Sequence, residues 1–319
     1  MEFLGLCGKA LSAADAANIA ASLLVLSKEK KINAVFWGRI SGCLGEYYVA
    51  AAENATDPLD QFRPCFFSVD GGVNWQPLLE PNAEQSDFCD QIRGPFMGQP
   101  KFEYKIQKEL PIEAPVAVEI APIDELQEPT EEEQPDEPSP EEEGEKAEGD
   151  APTDGEATEE VKKPKRPKFR ILAMFETTRL AHFVRQHDAY CRVVPRGSLQ
   201  RKDDGAVIRN RWFSGLDAGD ASIAANFSKL SLPHASQVSL NEVVFGPKYH
   251  PAWDFLVPIT SDMPKGTWSL KLDSTVGVVT VENLLFPGSF FFHKLQSSLF
   301  GQFYIGDGRR NVDLCFMLP

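Results

Sequence analysis

The chain has 319 residues and carries 47 acidic against 32 basic side chains, a formal net charge of −15 at pH 7. Residues 109–160 hold 21 of the acidic side chains and one base, Lys146, so the rest of the chain is slightly basic. No run approaches the about 20 consecutive apolar residues that cross a membrane, and no basic segment precedes an apolar run at the start. We therefore expect a soluble, cytoplasmic, globular protein that neither spans a membrane nor is secreted.

A helix and several strands are predicted before the acidic segment. Ser12 and Asp15 have the spacing of a capping box, and apolar residues follow at helical intervals, so we expect an amphipathic helix over residues 12–28. Runs of β-branched and aromatic residues between turn residues then predict five strands. They are residues 32–40, 46–52, 64–69, 73–78 and 101–106. Between the third and fourth of these, Asp70-Gly71-Gly72 favours a turn with positive φ.

The acidic segment is predicted to be disordered. From Gln127 to Glu160 there is no Val, Ile, Leu, Met, Phe, Trp or Tyr, and 16 of the 34 residues are acidic. Such a segment cannot bury enough apolar surface to offset its ordering entropy. We predict one fold divided by an insert, although two domains joined by a linker remain open. The predicted parts are an N-terminal half at 1–108, an acidic disordered insert with a basic end at 109–168, and a β-rich C-terminal half at 169–319.

Beyond the acidic segment the sequence predicts a strand followed by a helix. FRILAMF, residues 169–175, is typical of a strand, and Thr177 or Thr178 can cap the helix that follows. The apolar face of this helix is formed by residues at helical spacing. They are Leu180, Phe183, Val184 and His187. Extended structure is expected to resume in YCRVVP, residues 190–195.

The remainder is predicted to be rich in strands. Asp217 is expected to begin a short helix with Ile223, Phe227 and Leu230 facing inward. Five apolar runs separated by turn residues then predict strands. They are residues 267–272, 276–285, 288–293, 302–306 and 312–318. Because strands do not alternate regularly with helices, the predicted fold class is α+β, with a mostly antiparallel sheet and a few helices.

No catalytic, cofactor or metal motif is recognisable. The six cysteines have no CxxC pair and are expected to be reduced and mostly buried. His182 and His187 are five residues apart, so a helix would point them in different directions and they could not bind one ion together. Nucleophile-elbow, Walker and dinucleotide-binding motifs are missing, and we interpret Gly306-Asp307-Gly308 as a hairpin turn. The basic residues 162–170 contain a single aromatic residue, Phe169, and not the repeated interleaved aromatic residues of a nucleic-acid surface.

Nine stretches combine aromatic, glycine and charged residues along both halves of the chain. They are VFWGRI at 35–40, EYYVA at 46–50, RGPFMGQPKFEY at 93–104, ETTRL at 176–180, VVPRGSL at 193–199, NRWFSGL at 210–216, MPKGTWSL at 263–270, LLFPGSFFFH at 284–293 and FYIGDGRRNVDLCFML at 303–318. In this order they resemble the radial spoke head protein 9 family of motile cilia and flagella. The resemblance leaves out the acidic segment, which is longer here than in that family.

The family-motif residues of these stretches are the candidate site. They are Trp37, Gly38, Arg39, Tyr47, Tyr48, Phe96, Met97, Gly98, Pro195, Arg196, Gly197, Pro264, Lys265, Gly266, Trp268, Pro287, Gly288, Gly306 and Gly308. We expect them mainly to specify the fold, because large aromatic residues and turn glycines build cores more often than sites. In the alternative, Phe290, Phe291 and Phe292 anchor a protein interface.

The resemblance implies a non-enzymatic subunit of the axonemal radial spoke head, a part of the ciliary and flagellar cytoskeleton. It implies assembly with spoke head proteins 4 and 6 in a doubled head, transient contact with central pair projections, and a part in regulating dynein-driven motility. It implies a protein that binds no cofactor, no nucleic acid and no membrane. Two alternatives stay open. One is an enzyme using Cys191 and His187, which share a helical face only if the helix continues to Cys191. The other is an acidic scaffold that binds basic proteins.

Overall fold

The computed structural model describes residues 2–54, 57–60, 62–109, 169–233 and 238–317. Apart from its first residue, Glu109, the predicted disordered insert lies outside these ranges. The chain divides into two compact units, one formed by Met1–Ile106 with Ala173–Pro319 and the other by Gln107–Leu172. The division of one fold by an insert stays a prediction.

Helices and strands occur on both sides of the acidic segment. The described α-helices are α1 (Ala13–Lys30), α2 (Ala83–Gln91), α3 (Glu176–Cys191), α4 (Ala218–Ala221), α5 (Val238–Phe245) and α6 (Leu314–Met317). The described strands are β1 (Asn33–Ser41), β2 (Glu46–Glu53), β3 (Cys65–Ser68), β4 (Gln76–Pro77), β5 (Glu103–Glu109), β6 (Phe169–Phe175), β7 (Val193–Pro195), β8 (Leu199–Arg201), β9 (Val207–Arg209), β10 (Phe227–Lys229), β11 (Val257–Pro258), β12 (Trp268–Asp273), β13 (Val278–Asn283), β14 (Ser289–Lys294) and β15 (Phe300–Gly306). Short 3-10 helices lie at Glu2–Cys7, Ala224–Asn226, Gly246–Lys248 and Ile259–Ser261.

An eight-stranded sheet combines strands from both sides of the acidic segment. Its order is β12-β13-β14-β15-β1-β2-β3-β4. Its strand pairs are antiparallel except for β1 and β15, which pair in parallel where Gly38 to Ile40 lie beside Tyr304 to Gly306. Smaller sheets are formed by β11-β10-β7, β5-β6 and β8-β9. The predicted α+β class with a mostly antiparallel sheet is confirmed.

The N-terminal segment covers one face of the large sheet, here called the α1 face. Leu26 of α1 packs in a cluster with Ala50 and Phe66 of the neighbouring strands. The 3-10 helix at Glu2–Cys7 covers the other half of this face, where Leu4 packs against Phe303. Burial of these side chains removes apolar surface from water on a face that would otherwise be solvated.

The opposite face, here called the α3 face, is covered by α3 and by the three-stranded sheet. Leu180 and Phe183 of α3 pack in the main core cluster with Val49 of β2. Toward the far edge, Phe227 of β10 packs against Phe291 of β14. Because both faces are covered, β2 is buried at six successive positions rather than at alternate ones.

Most predicted elements are confirmed. α1 begins after Ser12, whose hydroxyl accepts a hydrogen bond from the Asp15 N–H at 3.0 Å. The strands predicted between residues 32 and 106, at 169–175 and between 267 and 306 correspond to β1–β6 and β12–β15. The predicted turn is also present, with Gly71 at φ 65° and Gly72 at φ 82°.

Two predictions about α3 are wrong. The N-cap residue is Phe175, and no side chain caps the helix, so neither Thr177 nor Thr178 has the predicted role. The helix also continues to Cys191 instead of ending before Tyr190. Cys191 and His187 lie one turn apart and are both buried in the core, so packing favours the continued helix over the β propensity of the local sequence.

The helix predicted from Asp217 is shorter than expected. It forms α4 and ends at Ala221, after which Ile223 is 51% exposed. Phe227 is buried, but on β10 rather than on a helix. The predicted inward helical face is therefore wrong, because pairing of β10 with β7 replaces a continued helix.

The strand predicted at residues 312–318 is wrong as well. Leu314–Met317 forms α6, in which only Leu314 is buried. A short apolar run does not distinguish a strand from a helical turn, so the periodicity was ambiguous here. Because no strand follows β15 among the described residues up to 317, Gly306-Asp307-Gly308 is not a hairpin turn.

Candidate functional site

A buried carboxylate, Glu176 at the start of α3, joins three of the family-motif stretches. Its oxygens accept hydrogen bonds from the backbone N–H of Met97, of Gly98 at 3.4 Å and of Gln99 at 3.0 Å. The hydroxyls of Tyr47 and Tyr104 donate to it as well, at 3.0 and 3.2 Å. Burial and the neighbouring carboxylate raise the pKa of the Tyr47 phenol, which keeps it a donor. We call these residues the Glu176 cluster.

Arg179 extends this cluster by one helical turn. Its guanidinium donates to the Tyr104 hydroxyl at 2.7 Å and to the carbonyl oxygens of Gly94 and Pro95 at 2.5 and 3.1 Å. It also lies over the Phe96 ring, 4.2 Å from the ring centroid. The stretches 93–104 and 176–180 are thus fixed to each other through a buried cation and a buried anion.

The loop at residues 96–98 also pairs with the β1–β2 turn. The N–H of Cys43 donates to the Phe96 carbonyl and that of Leu44 to the Met97 carbonyl, both at 2.8 Å. Gly98 has φ 84°, and a Cβ there would lie 2.4 Å from the Gly45 carbonyl oxygen. Only glycine fits this position, because the backbone conformation and the close approach both exclude a side chain.

A second buried carboxylate, Asp188, lies near the end of α3. It accepts hydrogen bonds from Trp37 Nε1–H at 2.7 Å and from Arg63 Nε–H at 2.8 Å. Burial by itself would raise the pKa of Asp188, but the Arg63 guanidinium, the neighbouring His187 and Arg192 together outweigh burial and hold that pKa well below its usual range. His187 lies beside this pair, with Nδ1 3.6 Å from Asp188, and its Nε2 is 2.9 Å from the Ser289 hydroxyl. We call these residues the Asp188 cluster.

Cys191 lies one turn beyond His187 on the same face of α3, as the alternative of an enzyme using these two residues requires. The thiol is buried, and burial raises its pKa. An activated cysteine needs a lowered pKa and an accessible sulfur. Burial likewise lowers the pKa of His187, which keeps that ring neutral. The arrangement is therefore that of a packed core and not that of a nucleophile with its base.

The remaining candidate ligands are dispersed. In the part of the chain that the structure describes, no group of three or more His, Cys, Asp and Glu could hold a metal ion. His182 lies against Asp90 at 3.0 Å, on the other side of α3 from His187. All six cysteines are free, and Cys43 and Cys315 are exposed, so the prediction of mostly buried thiols holds for only part of the set.

The glycines of the motifs allow close backbone contacts around β15. Gly38 lies beside Tyr304 in the parallel pair, and a Cβ there would lie 2.2 Å from the Tyr304 carbonyl oxygen. The same limit applies to Gly288, where a Cβ would lie 2.2 Å from the Ile305 carbonyl oxygen. Gly306 and Gly308 would also clash with neighbours if they carried a Cβ. Gly38 therefore allows β1 and β15 to pair closely, and the other three glycines allow close packing around the end of β15.

Pro195, Arg196 and Gly197 form the exit from β7. Arg196 donates two hydrogen bonds to the Asp254 carboxylate, at 2.6 and 2.7 Å, and lies 4.2 Å from the centroid of the Phe245 ring. Gly197 has φ 79°, which turns the chain away from the strand. This bidentate ion pair fixes the loop at residues 246–254 against β7.

The turn before β12 is held by contacts within its own region. Lys265 donates to the Thr260 carbonyl at 2.5 Å, and Trp268 donates through Nε1 to Asp262 at 2.8 Å. Trp268 is half-buried on the α3 face, and Pro264 and Gly266 shape the preceding turn. Pro287 is exposed.

Arg39 and Tyr48 meet at the surface end of β1 and β2. Arg39 pairs with Glu46 at 3.4 Å, and the single Tyr48 hydroxyl proton is within hydrogen-bond distance of two carboxylates, Glu46 at 3.1 Å and Asp15 of α1 at 3.2 Å. Burial and these two carboxylates raise the pKa of Tyr48 to about 12. The contacts fix α1 to the sheet.

The phenylalanines considered as interface anchors face inward. Phe290 and Phe291 are buried on opposite faces of β14, and Phe292 stacks on Phe3 with ring centroids 4.6 Å apart. The large apolar side chains that are most exposed lie elsewhere. Among them are Leu79, Trp212, Val243, Met263 and Phe316, each at least 78% exposed.

Sequence reasoning did not identify Glu176, Arg179 or Arg63 as structurally important. Glu176 and Arg179 lie in a stretch chosen for its family resemblance, and the residue types alone gave no sign of burial. Arg63 lies 125 residues from Asp188, and no local pattern links them.

No helix in the described ranges is long and apolar enough to cross a lipid bilayer.

A family model described as "Radial spokehead-like protein" matches residues 1–177. The chain belongs to this radial spokehead-like family. The Danio rerio protein named radial spoke head protein 9 homolog is 31% identical, over 98% of this chain and 94% of its own length. The Homo sapiens and Xenopus tropicalis proteins of the same name are 26% and 27% identical, over 100% of this chain and 97% of their own lengths. Membership in this family confirms the resemblance drawn from the nine stretches.

Proposed function

We propose that this protein is a structural, non-catalytic subunit of the radial spoke head in the axoneme of motile cilia and flagella. The observation that carries the proposal is the match along nearly the whole chain to relatives named radial spoke head protein 9 homolog. A match of this extent includes both parts of the large sheet and not only one motif.

The internal use of the motif residues supports a structural role. Glu176 and Asp188 each accept several hydrogen bonds from motif side chains or backbone groups, inside the protein. Catalytic groups with shifted pKa values are usually found in an accessible cleft, where a substrate can reach them. Here the carboxylates of Glu176 and Asp188 bind strands, loops and α3 to one another, which supports a role as a rigid structural subunit.

The proposed partners are spoke head proteins 4 and 6, within a doubled head that meets the central pair projections transiently. In this role the protein helps to relay central pair signals that regulate dynein-driven motility. Its exposed apolar side chains, such as Trp212 and Phe316, are suited to permanent subunit contacts. Brief contacts with the central apparatus would instead depend on charge.

The acidic residues 109–168 form, in this proposal, an insert within a single fold. With a charge of −20 over residues 109–160, the insert acts as a repelling bristle at the head surface. Deletion of residues 127–160 is expected to leave assembly of the head intact. Loss of assembly in this deletion would contradict the bristle hypothesis.

The test is affinity purification from axonemes. The tagged protein is expressed in ciliated cells that lack the native one, axonemes are extracted with salt, and the extract is analysed by sizing and mass spectrometry. Migration in one complex with spoke head proteins 4 and 6 is the expected result. A monomer absent from axonemes would contradict the proposal.

A further inference from the structure

The two central strands of the large sheet separate at one end. β1 begins at Asn33 and β15 at Phe300, yet their parallel pairing covers only Gly38 to Ile40 and Tyr304 to Gly306. Ahead of the paired positions, residues 35–37 and residues 300–303 line a cavity of about 470 Å³. We call this cavity the seam cleft.

The seam cleft reaches both faces of the sheet. Phe3 and Leu4, which cover the α1 face, contribute to its lining. Arg192 and Val193, which follow α3 on the opposite face, also line it. The cavity therefore lies in the plane of the sheet, in the position that another strand would occupy.

Backbone groups on β15 face this position. Successive residues of an antiparallel strand direct their N–H and C=O groups to opposite neighbours. Lys294 N–H donates to the Leu299 carbonyl and Ile305 N–H to the Gly288 carbonyl, at 3.0 and 2.8 Å. The odd-numbered residues of β15 thus bond to β14, and Phe300 and Gln302 direct their backbone groups toward β1.

The same reasoning places a backbone group of β1 opposite them. Ala52 N–H donates to the Pro64 carbonyl at 2.9 Å, so Ala50, two residues earlier on β2, also bonds toward β3. Phe36 lies opposite Ala50 and consequently directs its N–H and C=O away from β2, into the seam cleft. The register between β1 and β15 does not extend to Phe36, Phe300 or Gln302.

The side chains around the cleft differ between the two faces. On the α1 face the lining is apolar, with Leu4, Phe292 and Phe303. On the α3 face the lining combines Arg63, Arg192 and Arg209 with Glu53 and with apolar side chains such as Val194 and Leu199. A ligand with apolar groups toward the α1 face and an acidic group beside the arginines would match both faces.

Of the three arginines that line the seam cleft, Arg192 is the one that forms no ion pair with a described carboxylate. Arg63 is paired with Asp188 at 2.6 Å and Arg209 with Glu53 at 3.2 Å. Arg192 donates instead to the neutral carbonyl oxygens of Asp60 and Pro58, at 2.6 and 3.1 Å, and Asp188, Glu53 and Asp60 act on it only from beyond ion-pair distance. A partly buried guanidinium in this position favours an anionic group from outside.

We propose that the seam cleft binds an extended segment of a partner polypeptide, in which acidic and apolar residues alternate, as an added strand between β1 and β15. Alternate residues of a strand point to opposite faces, so the apolar ones would meet Phe292 and Phe303 and the acidic ones Arg192. The four residues 300–303 that line the cleft correspond to a bound segment of about four residues. This proposal deepens the proposed function and rests on it only for the identity of the partner.

Two fluorescent nine-residue peptides test the proposal with the purified full-length protein. One alternates glutamate and valine, and the other has glutamine at every glutamate position. Fluorescence anisotropy is expected to show about tenfold tighter binding of the acidic peptide, as close charge pairs provide. Arg192→Gln should weaken binding of the acidic peptide about tenfold, while the matched variant Arg201→Gln, exposed and outside the cleft, should change it less than about twofold.

Amide hydrogen exchange in the unmutated protein provides an independent readout, should Arg192→Gln fail to fold. The acidic peptide is expected to slow exchange at Phe36, Phe300 and Gln302, while exchange at Leu270 on the edge strand β12 stays unchanged. Equal weakening by both arginine variants, or binding without protection of these three amides, would overturn the proposal. Protection that rises with protein concentration and needs no peptide would assign the cleft to a second copy and overturn it too.

The seam cleft and the proposed function can fail separately. If no peptide binds but the protein migrates with spoke head proteins 4 and 6, the cleft proposal alone is contradicted. If the acidic peptide binds as expected but the protein is absent from axonemes, the proposed function alone is contradicted.

Discussion

Tyr47 on β2 donates its phenolic hydroxyl to the carboxylate of Glu176, the first residue of α3, at 3.0 Å. Both residues are fully buried. The same carboxylate accepts backbone N–H groups from the loop at residues 97–99. One anion thereby fixes a strand, a loop and a helix that lie far apart in the sequence.

Glu176→Gln is expected to lower the free energy of unfolding by about 2–3 kcal/mol. A glutamine amide can accept at only one oxygen, and its NH₂ group would face donors that now have no acceptor. Urea unfolding followed by tryptophan fluorescence measures the change. The exposed Glu103→Gln should stay within about 0.5 kcal/mol of wild type, and equal stability of the two variants would contradict the role given to Glu176.

Gly38→Ala is expected to destabilise the protein by about 1–3 kcal/mol. The new Cβ would lie 2.2 Å from the Tyr304 carbonyl oxygen, so β1 and β15 would have to move apart. Gly5→Ala is the control, because a Cβ at Gly5 would meet nothing within 4 Å. The two melting temperatures should differ clearly, and similar values would show that the parallel pair tolerates a side chain.

The tryptophans should rank by burial. Trp37 is 3% exposed and Trp212 is 90% exposed, while Trp268 is half-buried. Replacement by alanine is expected to cost about 3–5 kcal/mol at Trp37, about 2 at Trp268 and less than about 0.5 at Trp212. Chemical denaturation of the three variants tests the order. Any other order would mean that these side chains stabilise the folded protein through interactions other than core packing.

Stability is expected to fall as the pH decreases from 7.5 to 5.5. Burial lowers the pKa of both His187 and His293, so the unfolded chain, with histidine pKa values near about 6.5, binds protons that the folded protein does not. The contribution of the two neutral histidines to the free energy of unfolding is complete above the pKa of histidine in the unfolded chain. Below that pKa it declines by up to about 1.4 kcal/mol per pH unit for each histidine.

Unfolding measured at several pH values in this range checks the slope. His293 Nε2 accepts the Leu216 N–H at 3.0 Å, which a glutamine side chain could also do. His293→Gln should therefore fold and show a smaller pH slope. An unchanged slope would exclude His293 as one of its sources.

Thiol labelling should separate the cysteines by exposure. Iodoacetamide at neutral pH is expected to modify the exposed Cys43 and Cys315 first. Cys89 and Cys191 should react only on unfolding, since burial raises the pKa of Cys89 to about 12 and raises that of Cys191 as well. Mass spectrometry of peptides gives the order of labelling. Rapid modification of Cys191 in the folded protein would return the thiol enzyme to consideration.

Local sequence determined much of the secondary structure. The N-cap signal at Ser12, whose hydroxyl accepts a hydrogen bond from the Asp15 N–H, predicted the start of α1, and β-branched and aromatic runs between turn glycines predicted the central strands. These signals succeed because they depend on neighbouring residues only. α2 was not predicted although Asn82 and Gln85 form a capping box at its start, because the helix buries only Phe88 and Cys89 and so has little apolar periodicity.

The tertiary structure alone decided where the two parts of the chain meet. The sequence predicted the strands that became β1 and β15, but their parallel pairing joins Gly38 to Tyr304, and no local pattern encodes so distant a contact. It likewise contained Glu176 and Asp188 without indicating that both are buried. A carboxylate is buried only where donors converge on it, and those donors come from distant segments that folding brings together. The seam cleft follows from the same cause, because it exists only where two strands that pair at one end separate at the other.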